Sequence, residues 1–247
     1  MLNNEKATHS GKWARHSRIT FVNDKSVLII GNSDGIGLAL TRRLLDLGWT
    51  VRGLSKRDTC VKHSSYSHTI VDVTSREFPN ILSDQTRSVP DLCVYCAGIG
   101  EELDFEKLDR ERLTFEVNLM GAVKTIEVLL PVLLTKGSGH LIVLSSIADA
   151  LISQEAPSYA ASKAGLSTFL EGMAMATRGT GVYITNVRFG FVKTKMAKGE
   201  RVPLMMTTDQ AVNHILRCIE KRPIRYTRPR TMGALVCLLS WLTRLRM

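Results

Sequence analysis

Cysteines and extended apolar segments are both scarce in this sequence of 247 residues. The five cysteines, Cys60, Cys93, Cys96, Cys218 and Cys237, are an odd set in a chain long enough to build a core without staples. Cys93 and Cys96 form a C-x-x-C, but no second ligand pair accompanies them and they lie inside the apolar run DLCVYCAG. They read as buried free thiols, so no metal site is expected and a reducing compartment, the cytoplasm, is implied. The first 24 residues are polar and basic, without the apolar core of a signal peptide, and read as a flexible extension. Near the C-terminus, TMGALVCLLSWLT carries no charge, but it is too short for a bilayer span, which takes about 20 apolar residues. That tail, residues 231–247, has two readings. It is a terminal element packing on the core or on a subunit partner, or it is an interfacial anchor with basic flanks and Trp241. No helix-turn-helix, zinc-ligand or RNA-binding pattern accompanies the net charge of +10, so nucleic acid is not an expected partner. The basicity fits a solvated surface, or contact with anionic cofactors, acyl phosphates or membrane headgroups.

What is present is regular. With 44% hydrophobic residues the chain can bury one sizeable core, and no repeat or Pro/Gly-rich linker divides it. From residue 25 onward, short apolar runs bounded by turn residues recur: KSVLII, TVRGLS, SHTIVDV, DLCVYCAG, GHLIVLSS and GVYITNVRFG. Amphipathic stretches lie between the later ones, over residues 108–136 and 159–178. Strands apolar on both faces and alternating with helices predict an α/β fold, a single doubly wound domain over residues 25–230 with a central parallel sheet covered on both sides.

The turn after the first strand reads GNSDGIG, with Gly31, Gly35 and Gly37. Glycines there let a backbone approach a pyrophosphate, and the following helix directs its positive end at it. Many dinucleotide-binding folds place a carboxylate at the end of the second strand to hold the ribose 2′-hydroxyl. Here the residues are Ser55, Lys56 and Arg57, which favours NADP(H) over NAD(H); the alternative is a solvated basic loop.

The stretch SSIADALISQEAPSYAASK holds Ser146, Tyr159 and Lys163. Tyr159 and Lys163 stand four apart on one predicted helix and share a face, where an ammonium would lower the phenol pKa towards a range useful for proton transfer. Ser146 ends a predicted strand, at the sheet edge where open α/β folds bind ligands, and its hydroxyl can hold a carbonyl or developing alkoxide oxygen.

GNSDGIG, VDVT, YCAG, NLMG, SSIA, YAASK and GFVKT occur in an order and spacing that resemble the single-domain short-chain dehydrogenase/reductase family. The resemblance implies a catalytic Asn118, Ser146, Tyr159 and Lys163, with Asn118 holding a water in a relay to Lys163 and Lys163 also binding the nicotinamide ribose. It implies cofactor contacts from the turn residues Gly31, Ser33, Asp34, Gly35, Ile36 and Gly37. Further contacts are implied from Asp72 and Val73 at the adenine, from Ala97 and Gly98, from Tyr159 beside Lys163, and from Val192 and Thr194 at the carboxamide. Two positions depart from the family pattern: Cys96 stands where an asparagine is usual, and Phe189 where a proline is usual.

These readings predict a hydride-transferring oxidoreductase acting on a small-molecule carbonyl or alcohol, with a homodimer or homotetramer implied by the family's habit of pairing the helix over residues 108–136. A cofactor-binding scaffold of the same fold is the alternative; it has no chemical need for Ser146, Tyr159 and Lys163 together. The chain has no room for the substrate domain of a nucleotide-sugar epimerase. The substrate pocket is expected from residues 98–104, 147–157 and 195–206. The last contains Met196, Met205 and Met206, which suit either a plastic apolar surface for a hydrophobic substrate or ordinary packing.

Overall fold

A computed structural model describes residues 25–195 and 204–245. Seven strands form one sheet, all parallel: β1 (Ser26–Ile30), β2 (Thr50–Ser55), β3 (Tyr66–Ile70), β4 (Leu92–Tyr95), β5 (Gly139–Ser146), β6 (Val182–Phe189) and β7 (Arg225–Arg228), in the order β3-β2-β1-β4-β5-β6-β7. The order reverses between β1 and β4, and the carboxyl ends of the strands open there into the crevice where such sheets bind ligands. The doubly wound reading holds.

Side-chain alternation builds a core on each face. Leu28 and Ile30 of β1 point to one side, where they join Tyr95, Leu129, Leu133, Leu141 and Leu166. Val27 and Ile29 point to the other, joining Leu40, Leu44, Ile142, Val187 and Ile215. The first face is covered by α2 (Phe78–Asp84), α4 (Gly121–Lys136) and α5 (Pro157–Ala176), the second by α1 (Gly35–Asp46) and α6 (Thr208–Lys221). Between β4 and α4 lies α3 (Asp109–Phe115), joined to α4 by a π-type turn over Glu116–Met120. The run Asp109–Lys136 has the length and apolarity of a membrane span, but Ile126, Leu129 and Leu133 are buried against the sheet.

Local signals explain the helix ends. Asp34 caps α1 by accepting from the Gly35 amide, Pro157 opens α5, and Thr207 and Gln210 close a reciprocal capping box on α6. One expectation needs amendment, and two further segments gain definition. The strand foreseen in SHTIVDV ends at Ile70, and Val71–Val73 pass along the crevice. The segment RYTR, too polar to read as a strand, is the edge strand β7, half-buried beside β6. The tail is a helix, α7 (Arg230–Leu245), with Val236 and Ser240 buried and Leu235, Leu239, Trp241 and Leu242 exposed. The proposed N-terminal extension, and Met196 with most of the methionine-rich loop, lie outside the described residues. Met206 is buried in the second core and bridges Val192, so for this residue ordinary packing is correct.

Candidate active site

A cleft of about 730 Å³ opens along the carboxyl edge of the sheet. Gly31, Ser33, Asp34, Gly35, Ile36 and Gly37 line one end, and the backbone is tightly folded there. A Cβ on Gly31, whose φ is +85°, would lie 2.5 Å from the Ala97 nitrogen, and one on Gly37 would lie 2.2 Å from the Gly31 carbonyl oxygen. Only glycine fits either position. Ala97, Gly98 and Val73 line the same end, and Val192 and Thr194 close it from the loop after β6.

The charged residues are arranged as opposed pairs. Lys56 meets Asp72 at 2.8 Å, while Asp34 meets Lys195 at 2.9 Å and Arg57 at 3.6 Å. The Lys195 bond and the Gly35 amide hold the Asp34 carboxyl below the usual range. Burial raises the Asp72 pKa, but bonds from Lys56 and Thr74 outweigh it and the net direction is down. Lys195 was expected only as part of the substrate loop; its pairing with Asp34 was not foreseen, since only folding brings the two together. Ser55 departs from expectation in detail: it lines the cleft, but its buried hydroxyl donates to the Arg57 carbonyl at 2.8 Å.

At the other end, Ser146, Tyr159 and Lys163 converge. The Ser146 side chain lies beside the Tyr159 phenol in the cleft, and its Oγ accepts from the Ala148 amide at 3.1 Å and so caps a short 3-10 turn. Lys163 is buried, with Nζ donating to the Leu144 carbonyl at 3.1 Å and lying 5.8 Å from the Tyr159 ring centre. Burial lowers its pKa to about 8, against the pull of Asp149 and Cys96. The expected lowering of the Tyr159 pKa is corrected: burial raises it, and the influence of the Ser146 side chain offsets only part of that. Low dielectric disfavours the phenolate more than the neighbouring groups stabilise it. A phenol held protonated suits proton donation.

Of the foreseen catalytic and cofactor-binding residues, Asn118 alone does not line the cleft. Of the foreseen substrate segments over residues 98–104 and 147–157, only Gly98 to Glu102, Ser153, Glu155 and Ala156 line it. Asn118 sits fully buried behind it, on the π-type turn, with Oδ1 accepting from the Ile99 amide and Nδ2 donating to the Ile99 carbonyl and to Ser162 Oγ. The turn has an identifiable cause. The Gly121 amide bonds back to the Glu116 carbonyl, and the Val117 carbonyl accepts from the Tyr95 hydroxyl at 2.6 Å. A Cβ on Gly121 would stand 2.1 Å from that hydroxyl oxygen. Gly121→Ala is therefore expected to destabilise the fold by about 2–4 kcal/mol, combining overpacking with loss of a buried hydroxyl bond. Urea unfolding checks this; an unchanged midpoint would refute the account of the turn.

With this geometry established, comparison with known proteins is informative. Residues 25–203 match the family described as short chain dehydrogenase. The chain belongs to the short-chain dehydrogenase family. It is an oxidoreductase of that NAD(P)-binding family. It is 36% identical over 126 residues to an uncharacterized oxidoreductase of Myxococcus xanthus, covering 49% of this chain and about half (50%) of that protein. Its fold matches that of a short chain dehydrogenase from Burkholderia cenocepacia in complex with NADP, with TM-score 0.80, 20% identity and coverage of 91% and 95% of the two chains. It also matches 4-hydroxyisoleucine dehydrogenase complexed with NADH, with TM-score 0.73, 20% identity and coverage of 82% and 96% of the two chains.

Both departures from the short-chain dehydrogenase pattern fall in the cleft wall. Cys96 lines it, its thiol pushed up to about 12 by burial, and its amide donates to the Ile30 carbonyl at 2.7 Å. Phe189 fills space that a proline would leave, packing at 6.3 Å from the His214 ring, and β6 stays paired to its end at Ser146↔Phe189.

A buried ion pair behind the short-chain dehydrogenase site escaped sequence reading. Arg188, on β6, grips Asp149 with two bonds of 2.5 Å, and both side chains are over nine-tenths buried. Asp149 also accepts from Ser167 at 2.6 Å, and Ser167 bonds Ser145 at 2.8 Å. The network joins the end of β5, the turn after Ser146, helix α5 and β6. Its one sequence signal is an arginine inside an otherwise apolar run.

Proposed function

We propose that the protein is an NADP(H)-dependent reductase, or the reverse dehydrogenase, for a small-molecule carbonyl/alcohol pair. The observation that carries this is one continuous cleft with the glycine turn at one end and Ser146, Tyr159 and Lys163 at the other. When bound, the nicotinamide supplies or accepts the hydride. The substrate oxygen sits against Ser146 and Tyr159, where the Ser146 hydroxyl donates to the developing alkoxide and Tyr159 passes it a proton. Lys163 holds positive charge beneath the phenol, so the electron pair left on Tyr159 forms near a cation. Asn118 acts as a positioning residue by fixing Ile99 at the cleft wall.

Preference for NADP(H) rests on charge. Among the described residues Lys56, Arg57 and Lys195 form ion pairs with only Asp34 and Asp72, which leaves surplus positive charge at the rim, and Ser55 stands where a ribose-binding carboxylate would be. The substrate half has apolar wall residues, Ile99, Leu113, Val117 and Phe191, beside the polar Glu101, Glu102, Ser153 and Glu155, which supports a substrate with a hydrophobic part. Assembly as a homodimer or homotetramer and a cytoplasmic setting fit this reading.

Paired titrations with NADPH and NADH, followed by unfolding temperature, test the cofactor assignment. At a hundredfold excess over Kd a ligand adds about 2.7 kcal/mol of stability. NADPH is expected to stabilise at lower concentration than NADH, and Lys56→Glu/Arg57→Glu to reverse the order. Affinity should weaken as pH rises through about 8, where Lys163 loses its charge. Equal response to both cofactors would refute the preference.

A further inference from the structure

The outward face of α7 has a composition and charge that nothing in the active site uses. Leu235, Leu239 and Leu242, spaced four and three apart, form one stripe along the helix, with Trp241 beside it; they are 54%, 47%, 42% and 58% exposed. The opposite side is anchored, with Val236 and Ser240 buried and Gly233 so close to Thr227 that a Cβ would stand 2.7 Å from its methyl. The helix is thus held on the body while an apolar stripe faces outward. Charge in this part of the chain has one sign. Residues 221–247 contain Lys221, Arg222, Arg225, Arg228, Arg230, Arg244 and Arg246, and no aspartate or glutamate. Arg225 is paired with Glu171, and Arg222 and Arg228 stack on Tyr183 and Tyr226, but Glu171 is the only carboxylate among these contacts.

We propose that α7 docks this protein on an anionic lipid surface, lying in the plane of the interface with Leu235, Leu239, Trp241 and Leu242 among the acyl chains and the surrounding arginines at the headgroups. Sixteen residues of helix are too few to cross a bilayer, and an apolar stripe, a tryptophan and flanking cations are what interfacial helices use. A second copy of the chain fits less well. Two-fold pairing on this face would set two like-charged segments against each other, and neither brings a carboxylate of its own.

The test is co-sedimentation of the full chain with vesicles of phosphatidylcholine alone and of phosphatidylcholine mixed with phosphatidylglycerol. Binding is expected only to the mixed vesicles, weakening as salt is raised. Leu235→Ser/Leu239→Ser/Trp241→Ser should weaken it about tenfold or more, with single Leu239→Ser falling between. Circular dichroism and the unfolding temperature report whether each variant is folded; should the triple variant fail to fold, the single one decides. No sedimentation with mixed vesicles, or full retention of binding by the folded variants, would overturn the proposal, the latter assigning adsorption to another basic segment. Loss of a dimer by light scattering in the variants would also overturn it, assigning the face to a second copy.

Discussion

Tyr159→Phe is expected to lower turnover about a thousandfold, equivalent to about 4 kcal/mol of transition-state stabilisation, while leaving NADPH binding unchanged. The substitution removes one hydroxyl and keeps the ring, which packs closely against Gly100: a Cβ there would stand 2.9 Å from Tyr159 Cδ2. The geometry of the cleft should therefore survive. What is lost is the proton donor, because the remaining hydroxyl, Ser146, is set to hydrogen-bond the substrate oxygen rather than protonate it. The measurement is NADPH oxidation against a panel of aldehydes and ketones, using the best substrate of the unaltered protein, with thermal stabilisation by NADPH as the binding control. Loss of turnover with intact binding supports Tyr159 as the acid. Turnover within threefold or so of the original would require another proton source and would remove the central residue from the proposed chemistry.

The second large effect is expected at Arg188. Replacing it with methionine strands Asp149 as an unpaired charge in the interior, which should cost about 3–5 kcal/mol and lower the unfolding temperature by roughly 10 °C. Asp149→Leu strands the arginine instead and should be comparably damaging. The double variant, Asp149→Leu/Arg188→Met, leaves neither charge, and much of the stability should return. Turnover should not return with it. Asp149 pulls the Lys163 pKa upward, and through Ser167 and Ser145 it braces the strand end that carries Ser146. Thermal unfolding of the two singles and the double provides the cycle. A double variant as unstable as the sum of the singles would show that the pair is not coupled, and full activity in it would confine the network to stability.

The parts of this fold that could be read from sequence are those whose cause is local. GNSDGIG signals a tight turn before a helix within seven residues, and Tyr159 and Lys163 share a helical face because they are four apart. The six recognised strands each carry their own apolar run. The features that escaped depend on distant partners. Arg188 and Asp149 are 39 residues apart in the chain, and only the β5–β6 pairing brings them together. The π-type turn at Asn118 depends on Tyr95, whose hydroxyl reaches a carbonyl 22 residues further on. Strand β7 is two arginines around a tyrosine and a threonine, and its pairing with β6 rather than its composition makes it a strand. The direction of the Tyr159 pKa was missed for a related reason: spacing places Lys163 nearby, but burial, which spacing does not report, is the larger influence.

The sheet is not equally firm across its width. Ser146 ends β5, which pairs with β6 over eight residues from Gly139↔Val182 to Ser146↔Phe189, deep in the sheet and buried almost throughout. The end of the cleft to which the proposal assigns the adenine leans instead on β2 and on β3, an edge strand with no fully buried residue. Local opening therefore comes at lower free energy at the β2–β3 end of the cleft than beneath Ser146 and Tyr159. On the proposed function, a molecule built this way loosens its grip on one end of the dinucleotide, for exchange after each turnover, without disturbing the reacting end.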